Sequence, residues 1–553
     1  MKRLLCLGLF VACVNAAYAD CDNDGCCAVN CTSCSSTTTC NGARGCAEGV
    51  DACARPDFLP FSQGENRARD YAGQAHLQNL IDRDDWNWAL SAAFAYNQNF
   101  DKERLGKHLS PSCCNNCFTV GPDNTSGVHV RGEDLGLSPT FRATLCLRPE
   151  IKNFVFEPSF YLGLDRWVEG MYLWFKIPVN YTNWDLEICE TSSQAGGTNF
   201  LENLMDVGND PVRVQAKSIK QAFAGTVTWG DKDLALQAGR IPSCGDSKTG
   251  VADIPVHLGW NFLTRDKGYL GLYLRTVFPT GTKEVRQSIF DPRVGYRRWQ
   301  LGGGVQGRLE LYNKDDETSL NAFTDLYVTH IFKNDECRLF DKLNNGTWSR
   351  YLLLKEFDAN LAYTGRLRNF ADIFNVCIKS GFNWMVDFLF FLELKHEGWI
   401  GNLGYELKAR ACEDFDCECL KICDPAYGDD CEDCSCTSTS TLRYGVKGTQ
   451  LVSNTNIQPT ATISDASTGN HAAAAATATN TFGTADTLTS IVDVESGRRP
   501  RMLSHKIYGT FGYTWEDRDY PIYSNLGVEV EFGDKNKALR QWGVWGKLGV
   551  SYN

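Results

Sequence analysis

The clearest pattern in the chain runs through residues 298–311. Trp299, Leu301, Gly303, Val305, Gly307, Leu309 and Leu311 alternate with Arg298, Gln300, Gly302, Gly304, Gln306, Arg308 and Glu310. One face is apolar or glycine and the other polar or glycine. A repeat of two predicts a β-strand, because successive side chains point to opposite faces of a sheet. The stretch is also longer than the roughly five or six residues usual in globular strands.

The pattern recurs. Leu320, Ala322, Leu326, Val328 and Phe332 alternate with Asn321, Asp325 and Thr329. Phe388, Phe390, Leu392 and Leu394 alternate with Asp387, Glu393 and Lys395, although Leu389 and Phe391 break the polar face. Trp399, Leu403, Tyr405, Leu407 and Ala409 alternate with Asn402, Glu406, Lys408 and Arg410. Near the end, Leu526, Val528, Val530 and Phe532 alternate with Asn525, Glu529 and Glu531.

Before and between these strands the chain changes character. Met1–Arg3 are basic at the start, Leu4–Val14 are almost all apolar, and Ala17-Tyr18-Ala19 forms a small-residue cleavage site. These parts predict a secretory signal peptide over 1–19. A lipidated start at Cys13 fits less well, since Phe10 stands where a Leu-like residue belongs. A Cys-rich extension follows at 20–53, and a polar linker with a short helix at 54–85. Barrel-type strands occupy 86–410. A Cys-rich acidic stretch and then a Ser/Thr/Ala-rich stretch fill 411–503, and the final strands occupy 504–553.

No later segment offers the roughly 18 uninterrupted apolar residues of a membrane helix. The nearest, Phe382–Leu394, contains Asn383, Asp387 and Glu393. An exported chain of long alternating strands can still cross a membrane as a closed barrel, where every backbone group is satisfied between strands. Trp86, Trp174, Trp184, Trp260, Trp299, Trp399, Trp515 and Trp542 sit near the ends of apolar faces, as aromatic girdles do at membrane interfaces. The expected fold is therefore all-β: a transmembrane antiparallel barrel of about 16 strands, within about 12–18. It carries a Cys-rich N-terminal extension and one long low-complexity loop insertion. A secreted β-sandwich is the soluble competitor.

Composition narrows the function. The chain has 553 residues, with 55 Lys+Arg against 67 Asp+Glu and a net charge of −12. That balance excludes a general nucleic-acid binder, which needs a basic face. Its 25 cysteines are too many for a reduced compartment. They cluster at Cys21, Cys26, Cys27, Cys31, Cys34, Cys40, Cys46 and Cys53; at Cys113, Cys114 and Cys117; and at Cys412, Cys417, Cys419, Cys423, Cys431, Cys434 and Cys436. Pairs such as Cys31-x-x-Cys34 have metal or redox spacing. Export and the absence of regular ligand spacing favour disulfides, within the chain or to neighbours. Nine Asp/Glu and one Lys lie between Ala411 and Cys436. No ordered calcium loop appears there, so a solvated, disulfide-tied loop is expected. Residues 437–490 hold few large apolar groups and are expected to form a surface loop outside the membrane.

The last strand carries Trp542, Val544, Gly546, Leu548, Val550 and Tyr552 on one face. It resembles the C-terminal strand of bacterial outer-membrane β-barrel (porin-like) proteins, which alternates and closes on an aromatic residue; here Asn553 follows Tyr552. The wealth of cysteine is similar to that of chlamydia-type major outer-membrane proteins. The stretch Phe61–Arg69 is similar to segments of envelope proteins of host-associated bacteria and implies no mechanism. The resemblance covers roughly 86–410 and 504–553, is one of architecture, and implies an outer-membrane location.

No catalytic, cofactor-binding or metal-ligating set emerges. The eight His show no H-E-x-x-H spacing, there is no G-x-S-x-G elbow, and Gly302-Gly303-Gly304 sits inside a strand rather than before a helix. An enzyme is not expected. The expected function is a porin-like channel for passive diffusion of small hydrophilic solutes. The alternative is a disulfide-cross-linked structural or adhesive surface protein. Partners are then membrane lipid, small solutes, and disulfide-linked neighbours or further copies of the chain, without nucleic acid. Candidate pore-lining residues are Arg298, Gln306, Arg308, Glu310, Asp325, Glu393, Lys395, Glu406, Lys408, Arg410, Glu529, Glu531 and Lys547.

Overall fold

The computed structural model describes residues 65–72, 87–112, 115–122, 125–196, 215–265, 267–283, 287–314, 317–422, 441–448, 455–465, 474–483, 486–517, 519–533 and 539–552. The leader 1–19 and the Cys-rich stretch 20–53 lie outside the described residues.

Twelve strands form the wall: β1 (Trp88–Asn99), β2 (Glu150–Gly163), β3 (Met171–Lys176), β4 (Ile254–Arg265), β5 (Gly268–Phe278), β6 (Gln300–Lys314), β7 (Thr318–Leu339), β8 (Asn375–His396), β9 (Trp399–Arg410), β10 (Met502–Trp515), β11 (Ile522–Gly533) and β12 (Gln541–Tyr552). Each pairs antiparallel with the next in sequence, and β12 returns to β1 with Trp88 opposite Tyr552 and Asn99 opposite Gln541. The twelve-stranded wall is thus a closed up-and-down barrel. Three further strands, Val179–Asp185, Asp246–Val251 and Glu413–Ile422, extend it beyond the wall along β2 and β8.

Twelve strands correct the sequence-based expectation of about 16. That expectation spread the chain evenly between strands and turns. The connections are instead strongly unequal. At the end holding Trp88 and Tyr552 they are short: 164–170, 266–267, 315–317, 397–398 and 516–521. At the other end they are mostly long: 100–149, 177–253, 279–299, 340–374 and 411–501, with only 534–540 short. The long connections absorb the residues that further strands would have used. Short turns at one end and long loops at the other are the usual polarity of outer-membrane barrels.

Alternation sets the two faces of the wall. Leu272, Leu301, Val328, Leu403, Phe511, Leu526 and Leu548 face outward and are exposed, whereas Arg275, Gln306, Asp325, Asp387, Glu406, Lys506 and Glu529 face inward and are buried. Outward aromatic rings gather at both rims. Trp399 packs on Phe511 and Tyr513, and Trp88 on Tyr552, at the short-turn rim. At the long-loop rim, Trp299 packs on Phe278 and Trp542 on Tyr96. Of the expected girdle, Trp86 lies outside the described residues, and Trp174 and Trp184 depart from it. Trp174 shares the inward parity of Tyr172 and Lys176, and Trp184 is buried above the wall.

The long loops are not loose. Leu105, Phe118, Leu145, Ile219, Phe223, Phe290, Trp348, Tyr351, Phe370, Tyr444, Ile463, Leu488 and Leu539 share one buried cluster. All six long-end connections contribute to it, so they fold as a single cap over that end of the barrel. The Ser/Thr/Ala-rich insertion, expected as a surface loop, supplies Tyr444, Val446, Ile463 and Leu488 to this core. Its few apolar residues suffice because the core is shared with the other loops.

Charge ties the cap to the wall. Glu413 accepts from Arg338 at 2.9 Å, Arg499 at 3.1 Å and Arg298 at 3.3 Å, and from the Arg499 backbone N–H at 3.0 Å. Burial opposes its ionisation, but Arg338, Arg499 and Arg298 outweigh it and hold its carboxyl below the ordinary carboxylate range.

Two outcomes follow from this architecture. A carboxyl with a lowered folded value contributes its full stability above the unfolded value of about 4.5 and loses it as pH falls through the folded one. Glu413→Gln removes the carboxylate that three guanidiniums share. It should cost about 3–5 kcal/mol and flatten the acid limb of a cap-melting profile read by near-UV circular dichroism. On the wall, Leu526→Arg at mid-height should cost about 2–4 kcal/mol of folding into lipid vesicles, and Phe532→Arg at the rim about 0–1, measured by urea titration.

Candidate functional site

The lumen is occupied by the protein's own chain. Glu65 to Ala72 lie inside the barrel, with a short helix, α1 (Arg67–Tyr71), at their centre. Asn66 caps it, its Oδ1 accepting from the Arg69 N–H at 3.2 Å. Five residues cannot hold a helix alone, because nucleation is costly; the wall holds this one.

The wall meets each charged side chain of the segment. Arg67 donates to Asp325 on β7 at 2.6 Å, and Arg69 to Glu157 on β2 at 3.4 Å. Asp70 accepts from Lys176 on β3 at 2.6 Å, and Glu65 from Arg275 on β5. Asn66 donates to both oxygens of Glu529 on β11, at 3.0 and 2.8 Å. Lys547 on β12 reaches the carbonyls of Arg69 and Asp70 at 2.6 and 2.9 Å, and Lys408 on β9 that of Glu65 at 3.0 Å. Strands around the whole circumference therefore hold one segment. All these side chains are buried.

The segment also has an apolar side. Ala68, Tyr71 and Ala72 join Phe323, Leu389, Phe391, Tyr508 and Trp545 in one buried cluster. Phe323 and Phe391 stack at 4.6 Å, and Tyr71 lies 6.0 Å from Phe391. Leu389 and Phe391, the two breaks in the β8 alternation, are thus an inward shelf on which α1 rests.

Beside Arg67 the wall is aromatic. The guanidinium lies 5.9 Å from the Trp174 ring and 5.8 Å from that of Tyr327. Tyr273 donates to Asp325 Oδ1 at 2.7 Å, and Tyr71 to its Oδ2 at 2.6 Å. His257 stands between Trp174 at 4.6 Å and Tyr273 at 4.8 Å. Glycine makes this crowding possible. A Cβ at Gly259 would overlap the Tyr172 ring, and one at Gly304 the Tyr273 ring. A cavity of about 20 Å³, lined by Arg67, Tyr161, Tyr172, Trp174, His257 and Gln306 among others, remains next to the guanidinium.

The structure separates the thirteen sequence-predicted lumen residues. Gln306, Asp325, Lys408, Glu529 and Lys547 touch the segment; Gln306 Oε1 lies 2.9 Å from the Tyr71 hydroxyl. Glu406 bridges Lys506 at 3.1 Å and Lys408 at 3.3 Å without reaching it. Glu531 is bonded by Ser504 toward the long-loop rim. Arg308 donates to Asn321 at 3.1 Å, and Glu393 is buried between its strand partners Asn321 and Asn402. Glu310 and Lys395 lie by the short turns, bound to Asn313 at 3.1 Å and Glu516 at 2.6 Å. Arg298 and Arg410 belong to the cap junction: Arg298 joins the Glu413 cluster, and Arg410 lies 4.1 Å over the Phe382 ring.

Several residues of the site escaped the sequence reading. Lys176, Trp174 and Tyr172 form an inward alternating face that strand parity could have revealed. Glu157 shares its inward face with Val155 and Tyr161, and Arg275 with Tyr273 and Val277, so neither face stands out as a polar series. Nothing in the linker composition marks residues 65–72 as lumenal.

Of the cysteine candidates, Cys117 pairs with Cys146, one of the scattered cysteines, at an S–S distance of 2.15 Å. Cys412 is disulfide-bonded, as are Cys189, Cys244 and Cys337. Cys417 and Cys419 lie on the strand Glu413–Ile422. The remaining candidates lie outside the described residues.

No family model matches the sequence, and no curated protein does. Among solved structures, the chain is similar to an outer membrane channel from Pseudomonas putida F1, with TM-score 0.32 and 7% identity over 86% of this chain and 100% of that one. It is similar also to the translocator domain of the autotransporter NalP from Neisseria meningitidis, with TM-score 0.27 and 6% identity over 88% and 95%. The toluene transporter TodX from Pseudomonas putida gives TM-score 0.26 and 9% identity over 92% and 97%. The barrel itself rests on strand closure and the outward apolar belt rather than on these scores, and its architecture is the one expected of outer-membrane barrels.

Proposed function

We propose that this chain is an outer-membrane channel whose lumen is held shut by residues 65–72, and that it passes small hydrophilic solutes when that segment withdraws. One observation carries the reading. The wall is polar and ionic inside, and what fills it is a separate stretch of chain rather than the wall's own side chains. A permanent plug would be better served by apolar packing, since buried ion pairs are often neutral or unfavourable relative to hydrophobic replacements. Ion pairs can be exchanged for water as the segment leaves, because an open lumen is wet. The porin-like reading is thereby kept in a gated form.

The full chain in a planar lipid bilayer should be closed most of the time. The double variant Arg67→Ala/Asp70→Ala removes the segment's ionic partners of Asp325 and Lys176, while Lys176 keeps Glu157. Breaking such pairs costs about 3–5 kcal/mol each when buried, so discrete steps should appear at least about tenfold more often. Silence from a variant that migrates on gels as an intact, inserted barrel would overturn the proposal.

The folded cap favours a second reading, a structural or adhesive surface protein. Gel migration separates the two. Large oligomers that collapse on reduction would support a cross-linked coat, and a monomer under both conditions would oppose it.

A further inference from the structure

Resting on the gated-channel reading, we propose that the aromatic cage around Asp325 is a solute seat for compounds bearing a guanidinium and a carboxylate, that is, arginine and short arginine-containing peptides. Arg67 is its built-in occupant. A guanidinium is planar, weakly hydrated and suited both to carboxylate recognition and to aromatic faces. Arg67 uses all of these. It bonds Asp325 at 2.6 Å and lies within 5.9 Å of Trp174 and 5.8 Å of Tyr327. The Tyr273 hydroxyl fixes the other carboxylate oxygen at 2.7 Å, so the acceptor is oriented by the wall and not only by the plug.

The second half of the ligand follows from the neighbouring charges. Arg275 and Lys176 flank the cage, and the plug answers them with Glu65 and with Asp70, whose carboxylate lies 3.3 Å from Arg67 and 2.6 Å from Lys176. When the plug leaves, Asp325 faces the lumen beside Arg275, which loses Glu65, and Lys176, which keeps Glu157 at 3.2 Å. Arg275 then disfavours a lone cation and favours a solute that also carries a carboxylate. A solute with a guanidinium at one end and a carboxylate at the other reproduces what Arg67 and Asp70 supply.

Chemical rescue in the full chain tests the cage without requiring current. In Arg67→Ala, millimolar methylguanidinium should raise the melting temperature toward that of the native chain, in a concentration-dependent way. The neutral isostere methylurea should not, and adding Asp325→Asn should abolish the effect. Equal action by methylguanidinium and methylurea, or action by neither, would overturn the cage. Should Arg67→Ala fail to assemble, the native chain serves. Arginine should raise its opening frequency by at least about fivefold over citrulline, the lower end of ordinary coupling between ligands. A free amino acid is distinguished from a peptide by repeating the measurement with Gly-Arg-Gly. Equal effects of arginine and citrulline would overturn the solute assignment. Rescue without any openings would leave the cage standing and remove the channel.

Discussion

The interior of this barrel depends on one constraint: buried charges must be paired. Closing twelve strands whose inward faces carry Asp325, Glu157, Lys176, Arg275, Lys408, Glu529 and Lys547 brings both signs into one enclosed space. Left dry and unmatched, each charge would cost several kcal/mol. Residues 65–72 solve this by presenting two acids, two bases, an amide and backbone carbonyls to strands around the whole wall. The segment folds because the wall is there, and several wall charges gain partners because the segment is there.

The two ends of the barrel solve different problems. Short turns close the end at which the wall begins and ends. The opposite end carries long connections that no single one of them could fold, since each contributes only a few apolar residues. Pooling them gives a core containing Trp348, Phe118, Phe223 and Tyr351. The Arg298–Glu336–Glu413–Arg338–Arg499 cluster joins that core to β7 and to the strand Glu413–Ile422 that pairs with β8. The lumen is thus covered from above by the cap and filled at mid-height by the segment.

Much of the wall was legible in the sequence because period two is a local property. The inward or outward sense of Leu301, Gln306, Asp325, Glu406, Leu526 and Glu529 follows directly from alternation. Strand number was not legible, because loop length and strand count draw on the same residues. The cap was invisible because its core is assembled from six separated stretches, none of them periodic. Leu389 and Phe391 look like irregularities in the alternation and are the trace of the plug: an apolar inward pair on a polar face requires an apolar partner inside. Arg67, Arg69 and Asp70 read as linker because their partners lie up to several hundred residues away.

Residues 65–72 occupy the lumen, and proximity at Tyr71 is the sharpest check of that placement. A photo-crosslinking phenylalanine analogue at position 71, activated in the assembled protein in membranes and mapped by mass spectrometry, should capture peptides from β6, β7 and β8, which carry Gln306, Asp325 and Phe391. Crosslinks confined to the short turns or to neighbouring molecules, or none in correctly assembled protein, would contradict the account.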